Sequence, residues 1–208
     1  MEKNYKFKPA LLFDFLTPFY DLFNKYGLRD KLQRRVLKSV EFKRNWKVLD
    51  VGCGTGEDLM MLKSKYPEMR LYGIDADPRI IEIAKKKNSE KKLGLNCQLA
   101  FAEELPFKKN LFDAVWCNLV LHHLPTNSKK QAIKEMHRVL KKRGKYFLIE
   151  FSRPQNRILA KIVLIQNFFS YTKDNYEDKI PQFVKAAGFK RIREEKFWLH
   201  MSIIQAVK

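Results

Sequence analysis

The tightest constraint on this chain is an alternation between residues 46 and 152. Five apolar runs read as strands: WKVLDV (46–51), RLYGID (70–75), LNCQLAF (95–101), LFDAVWCNLV (111–120) and KYFLIEFS (145–152). Between them stand helical segments, GEDLMMLKSKY (56–66), PRIIEIAKKKN (78–88) and SKKQAIKEMHRVLKK (128–142). Pro78 suits the first turn of its helix, and Gly144 is expected to stop the last one. Strands that alternate with helices imply a parallel sheet covered on both faces, a doubly wound α/β fold.

The flanks differ from the core. LLFDFLTPFYDLFNK (11–25) and LRDKLQRRVLKSVEFKR (28–44) read as amphipathic helices. After the core come the apolar segment ILAKIVLIQNFFSYT (158–172), a helix expected over YEDKIPQFVKAAG (176–188), and two closing strands, FKRIREEKF and WLHMSIIQAVK. These strands are expected to form an antiparallel pair at the sheet edge. With 208 residues and no Pro/Gly/Ser linker, one domain over 1–208 is expected. It divides into N-terminal helices (1–45), a core (46–152) and a closing part (153–208).

Several classes are disfavoured. Asp14 and Pro18 interrupt the apolar N-terminus, which does not read as a signal peptide. No run of 18 apolar residues predicts a membrane-spanning helix. Cys53, Cys97 and Cys117 lack the spacing of a zinc site or disulfide frame, and read as reduced thiols of a cytoplasmic protein with no metal site.

The chemistry concentrates in KVLDVGCGTGED (47–58). In a doubly wound sheet, ligands bind at the carboxyl ends of the strands. Gly52, Gly54 and Gly56 sit there, where missing Cβ atoms permit a tight turn and a ligand laid against the backbone. The spacing is neither GxGxxG nor a triphosphate-binding loop. Asp50 lies before the loop, placed to accept loop amides or attract a cationic ligand. Asp75 ends the next strand, nineteen residues past the last glycine, where a carboxylate accepts both hydroxyls of a ribose. An acid at the loop mouth suits an ammonium group better than a pyrophosphate. S-adenosyl-L-methionine carries a ribose and an amino acid head, and no phosphate.

VLDVGCGTG, YGIDADP, AEELPF and FDAVWCNLVLHHL, in this order, resemble the class I S-adenosylmethionine-dependent methyltransferases over residues 46–152. FYDLFNKYGL, HRVLKKRGKYFLIEFSRPQN, AAGFKRI and the terminal strands extend the resemblance to the ubiquinone/menaquinone biosynthesis C-methyltransferases. The stretch between EFSRP and AAGF is shorter here than that family usually carries. The resemblance implies a Rossmann-like, mostly parallel seven-stranded sheet with an antiparallel C-terminal strand and N-terminal capping helices. It implies that Asp50, Gly52, Gly54, Thr55 and Gly56 cradle the methionine end, with Cys53 a packing residue in the loop. It gives Asp75 the ribose and Ala76, Ala102 and Glu103 the adenine pocket. Phe101 stands where many relatives carry a polar residue, and either stacks or packs. Asn118 falls near the methionine moiety and the acceptor. The run NLVL after the fourth strand is not the N-P-P-aromatic motif of exocyclic base-amine methylation.

His122 and His123 are candidates for a general base, or loop residues beside the cofactor without a catalytic part. Tyr20 either closes the site or packs between helices. The net charge of +19 favours polyanions, or reflects only a lysine-rich surface. The apolar segment either packs in the core or lies against the inner face of an anionic membrane. The expected partner is a small-molecule acceptor, a lipophilic one favoured. No DNA partner is expected, and RNA is disfavoured because no RNA-binding module is present. A methyltransferase of soluble small molecules or RNA, and a non-catalytic binding protein of the same fold, stay open.

Overall fold

The computed structural model describes residues 42–154, 171–197 and 201–208. The expected helices at 11–25 and 28–44, Tyr20 and most of segment 158–172 lie outside the described residues. Every element below belongs to the unit Lys43–Lys208.

The first strand, β1 (Lys47–Val51), is buried from Val48 onward, and β4 (Phe112–Asn118) is nearly as enclosed. Strands this apolar need cover on both faces. Around them stand α1 (Glu57–Lys65), β2 (Arg70–Asp75), α2 (Pro78–Lys91), β3 (Asn96–Leu99), α3 (Thr126–Val139), β5 (Leu140–Phe151), two short helices α4 (Lys173–Tyr176) and α5 (Ile180–Ala186), and the closing strands β6 (Lys190–Phe197) and β7 (Met201–Val207). The sheet order is β3-β2-β1-β4-β5-β7-β6. Pairs from β3 to β5 are parallel, whereas β7 runs antiparallel to both β5 and β6. The seven-stranded, mostly parallel sheet expected from the sequence is therefore present, with β7 as its one reversed strand. Strand order reverses between β1 and β4, which opens the ligand crevice at their carboxyl ends.

Helix α2 starts as expected. Asp77 accepts the Arg79 amide at 2.8 Å and Pro78 occupies the first turn, a cap worth about 1 kcal/mol. The core under the helices includes Leu49, Val115, Ile133, Met136, Leu148 and Ile204.

Two boundaries differ from expectation. Helix α3 ends at Val139, not Lys142, because Leu140 is already paired with Phe112 in the sheet and fully buried. Gly144 lies inside β5 and does not stop the helix. Arg143 takes the bend before it at φ 63°, and a Cβ on Gly144 would meet Lys141 O at 2.8 Å. The helix expected over 176–188 is shortened to α5, and α4 ends where it was expected to begin. Pro181 lacks an amide hydrogen and its ring opposes the carbonyl four residues back, so it tolerates only a first turn, the place it holds in α5.

The chain on either side of residues 155–170 is fastened together. Asn175 Nδ2 donates to Phe151 O at 3.4 Å, and the Arg153 amide to Asp178 Oδ1 at 3.3 Å. Beneath them Lys129, fully buried on α3, donates to Tyr171 O, to Asp174 Oδ2 at 3.2 Å and to Asn175 Oδ1 at 3.0 Å. Thr126 adds a 2.7 Å hydroxyl bond to Asp174.

Candidate functional site

The glycine loop turns at the carboxyl end of β1 with Gly52, Gly54 and Gly56 at φ 75°, 54° and 83°. Its amides are anchored from β2. Gly52 and Cys53 both donate to Ile74 O, at 2.8 and 2.9 Å, and Gly54 donates to Asp75 Oδ2 at 2.9 Å. These three loop amides thus run to β2. Asp50 is 2% exposed, between Gly73 and Trp116 on the neighbouring strands. The glycines differ in what surrounds them. A Cβ on Gly52 would sit 2.2 Å from Val120 Cγ2, whereas a Cβ on Gly54 would meet nothing within 4 Å. Gly54 therefore borders open space.

Asp75 is held from two sides, since Oδ1 accepts the Asp77 amide at 3.0 Å while Oδ2 takes Gly54. Ala76, half-buried, follows it. Thr55 turns its hydroxyl outward to Lys87 Nζ at 3.2 Å, and Lys87 also pairs with Glu57 at 2.6 Å. Cys53 is buried, its Sγ near Gly73 and bonded to Gly54 O at 3.6 Å. A hydrogen bond to Cys97, burial and the nearby Asp50 push its thiol far above the usual range. Its thiol is enclosed between the loop and β2.

Phe101 is 37% exposed beyond β3, with Ala102 and Glu103 buried behind it. Helix α3 pins this loop. Arg138 donates to Phe107 O at 2.7 Å and Leu105 O at 3.0 Å, while Glu135 accepts the Leu105 amide at 2.9 Å. The Arg138 guanidinium in turn holds the Glu135 carboxyl below the usual carboxylate value. Asn118 closes β4. Its Nδ2 donates to Asp58 Oδ2 at 3.1 Å, beside Trp116 Nε1 at 3.0 Å. Two donors on one carboxylate oxygen fix which way the amide faces, and its buried Oδ1 has no hydrogen-bond partner among the described residues.

The two histidines separate. His122 is buried in a 3-10 turn, Leu121–His123, and its Nδ1 lies 2.8 Å from Glu150 Oε1. His123 is exposed, its ring 4.0 Å from that of His122. Packed atoms and then the His122 ring push the His123 imidazole below its ordinary value, but water at its open edge limits that push. The sequence analysis missed Glu150, Asp58, Lys129 and the Glu135–Arg138 pair. Glu150 left one signal, an acid inside the otherwise apolar run FLIEF.

A family model described as a methyltransferase domain matches residues 48–144. A demethylmenaquinone methyltransferase of Chlorobaculum parvum is 30% identical over 205 residues, covering 88% of this chain and 81% of that protein. A ubiquinone/menaquinone biosynthesis C-methyltransferase of Geotalea daltonii is 30% identical over 150 residues, covering 69% of this chain and 63% of that protein. The chain thus spans less than two thirds of this relative. Among solved structures, a Pyrococcus horikoshii protein superposes with a TM-score of 0.73 at 19% identity, covering 88% and 90% of the two chains. A phosphoethanolamine N-methyltransferase of Haemonchus contortus, solved with S-adenosylhomocysteine, gives 0.71 at 17% identity, covering 86% and 52%. With its glycine cradle, its twice-anchored Asp75 and these relatives, the chain belongs to the class I S-adenosylmethionine-dependent methyltransferases related to the quinone biosynthesis C-methyltransferases.

Proposed function

We propose that this chain methylates a small, lipophilic acceptor of the quinone-precursor type, using S-adenosylmethionine. The observation that carries the reading is the cradle itself, open in front of Gly54 and flanked by an Asp75 already locked in place. A carboxylate offers about four acceptor positions. Two are taken by amides, which leaves room for a ribose diol. The buried Asp50 and the unused Asn118 Oδ1 suit an ammonium group. Phe101 offers a face to adenine, with Ala102 and Glu103 at its edge and Ala76 beside it.

When bound, the cofactor supplies a methyl group already activated by its sulfonium centre. The chain's task is then to align the acceptor, exclude water and take up a proton. Of the two histidines, His122 is the better placed base, because it is buried and its Nδ1 is already engaged. His123 serves as its packing partner. The acceptor class draws its support from the names of the relatives in Chlorobaculum and Geotalea. A net charge of +19 supports peripheral docking on an anionic inner membrane face, where such an acceptor would be drawn. No helix among the described residues is long and apolar enough to cross a membrane.

Calorimetric titration with S-adenosylmethionine and S-adenosylhomocysteine, beside an Asp75→Ala variant, tests the cofactor site. The expected result is micromolar binding, weakened at least about tenfold in the variant, a loss of ~1.4 kcal/mol. Radiolabelled methyl transfer to demethylated quinone precursors then tests the acceptor. Cofactor binding without transfer to any of them would overturn the acceptor assignment, and no binding would overturn the whole reading.

A further inference from the structure

We propose that Glu150 is a positioning residue that fixes the ring of His122, so that Nδ1 carries the hydrogen and Nε2 faces the chemistry as the one proton-accepting nitrogen. The use made of Nε2 rests on the methyl-transfer reading; the fixed tautomer does not.

Glu150 is 1% exposed in β5. A carboxylate taken so far from water costs several kcal/mol unless its oxygens are hydrogen-bonded. Three N–H groups meet that need. Oε2 accepts the His122 amide at 3.2 Å, and Oε1 accepts the Phe151 amide at 2.8 Å and lies 2.8 Å from His122 Nδ1. The acid therefore grips one residue twice, by backbone and by ring. Burial pushes the Glu150 carboxyl up, but the His122 ring, the Phe151 amide and the His123 ring more than offset it and leave it below its ordinary value. An ionised carboxylate only accepts, so Nδ1 must donate.

The ring has no freedom to turn away. Phe151 packs 4.6 Å from its centre and His123 4.0 Å, while the Tyr171 amide donates to His122 O at 3.1 Å. A purely structural buried histidine would have both nitrogens satisfied. Here Nε2 has no hydrogen-bond partner among the described residues and is not among their sealed, unpartnered atoms, so the one open edge of a ring 10% exposed is the Nε2 edge. The turn that carries it begins beside Val120, the residue whose methyl nearly touches Gly52. Nε2 thus belongs to the same end of the sheet as the cofactor loop. Holding a base in one tautomer by a carboxylate on its far nitrogen is a general device for directing proton transfer.

The test is nitrogen-15 NMR of the histidine rings in the full chain, assigned with His122→Gln. Near neutral pH, Nδ1 of His122 should be protonated and Nε2 bare. Glu150→Leu should move His122 toward the Nε2–H form, and Glu150→Asp should restore the original form in part. An Nε2–H ring in the unaltered chain would overturn the proposal, whether or not any variant folds. So would an unchanged tautomer in a folded Glu150→Leu. In the transfer assay, Glu150→Gln should lower kcat at least tenfold with the KM for S-adenosylmethionine unchanged; a fall in affinity with kcat intact would mean a structural role only. If no acceptor is ever methylated, the methyl-transfer reading fails and the NMR result still decides the tautomer.

Discussion

The glycine loop permits a paired substitution that separates stability from ligand binding. In Gly52→Ala the new methyl starts 2.2 Å from Val120 Cγ2, at φ 75°. The left-handed conformation costs about 1–2 kcal/mol for a residue with a Cβ, and overpacking a stiff neighbour about 1–3 more. A loss of about 2–5 kcal/mol is expected, or roughly 4–20 °C in Tm for a chain of this size. Gly54→Ala carries only the conformational cost, about 1–2 kcal/mol, because its methyl meets nothing within 4 Å. That same methyl fills the space assigned to the cofactor, so affinity for S-adenosylhomocysteine should drop at least about tenfold. Urea denaturation read by circular dichroism gives the first quantity and calorimetry the second. Adding Val120→Ala to Gly52→Ala should recover part of its stability. Equal stability losses in the two variants, or full affinity in Gly54→Ala, would refute the assignment of one glycine to packing and the other to ligand.

Three further outcomes are expected. Lys129→Met removes the donor to Tyr171, Asp174 and Asn175 and leaves a buried carboxylate short of its partner; unfolding free energy should fall by about 3–5 kcal/mol, and a loss under about 1 in urea would contradict the clamp. For Asp174, burial pushes the carboxyl up, but Thr126 and Lys129 more than offset it, so its folded value lies below the ordinary one. Its stabilisation is therefore complete above about pH 4 and lost as pH falls through the lowered value; Asp174→Asn should be the less stable protein at pH 7 and converge with the parent in acid, and a gap that widens in acid would reverse the sign of this argument. Among the thiols, Cys97 is pulled down by a hydrogen bond from Cys53, against burial and with help from Lys85, whereas Cys53 and Cys117 are pushed up. Iodoacetamide should label Cys97 first, read by mass spectrometry of peptides, and prior labelling of Cys117 would count against the buried β4 environment.

The frame was legible because its signals are local. β1, β4 and β5 announce themselves as apolar runs, and Gly52, Gly54, Gly56 and Asp75 stand at fixed distances along the chain. The misplaced boundaries lie where a tertiary contact overrides a local pattern. Leu140 continues the apolar face of its helix, yet pairing with Phe112 draws it into the sheet. Pro181 was readable as a break, and the apolar spacing around it hid that. The hydrogen bond from Lys87 to the Thr55 hydroxyl, across thirty-two residues, was equally hidden. Glu150 and Lys129 are the hardest cases. Their partners lie 28 and 45 residues away, and no spacing rule links an acid in one strand to the turn after its neighbour.

The fastening across residues 155–170 bears on how such a chain diversifies. Its entry, Phe151–Arg153, and its exit, Asn175–Asp178, are bonded to each other and rooted on α3. The intervening stretch therefore leaves and rejoins the scaffold at one socket. Doubling the length of a segment closed this way costs only about 0.6 kcal/mol in chain entropy. Its length can therefore change while the flanks that hold it keep their bonds. A segment grafted between Pro154 and Tyr171 should therefore leave β5 and the His122 turn in register, whatever its length.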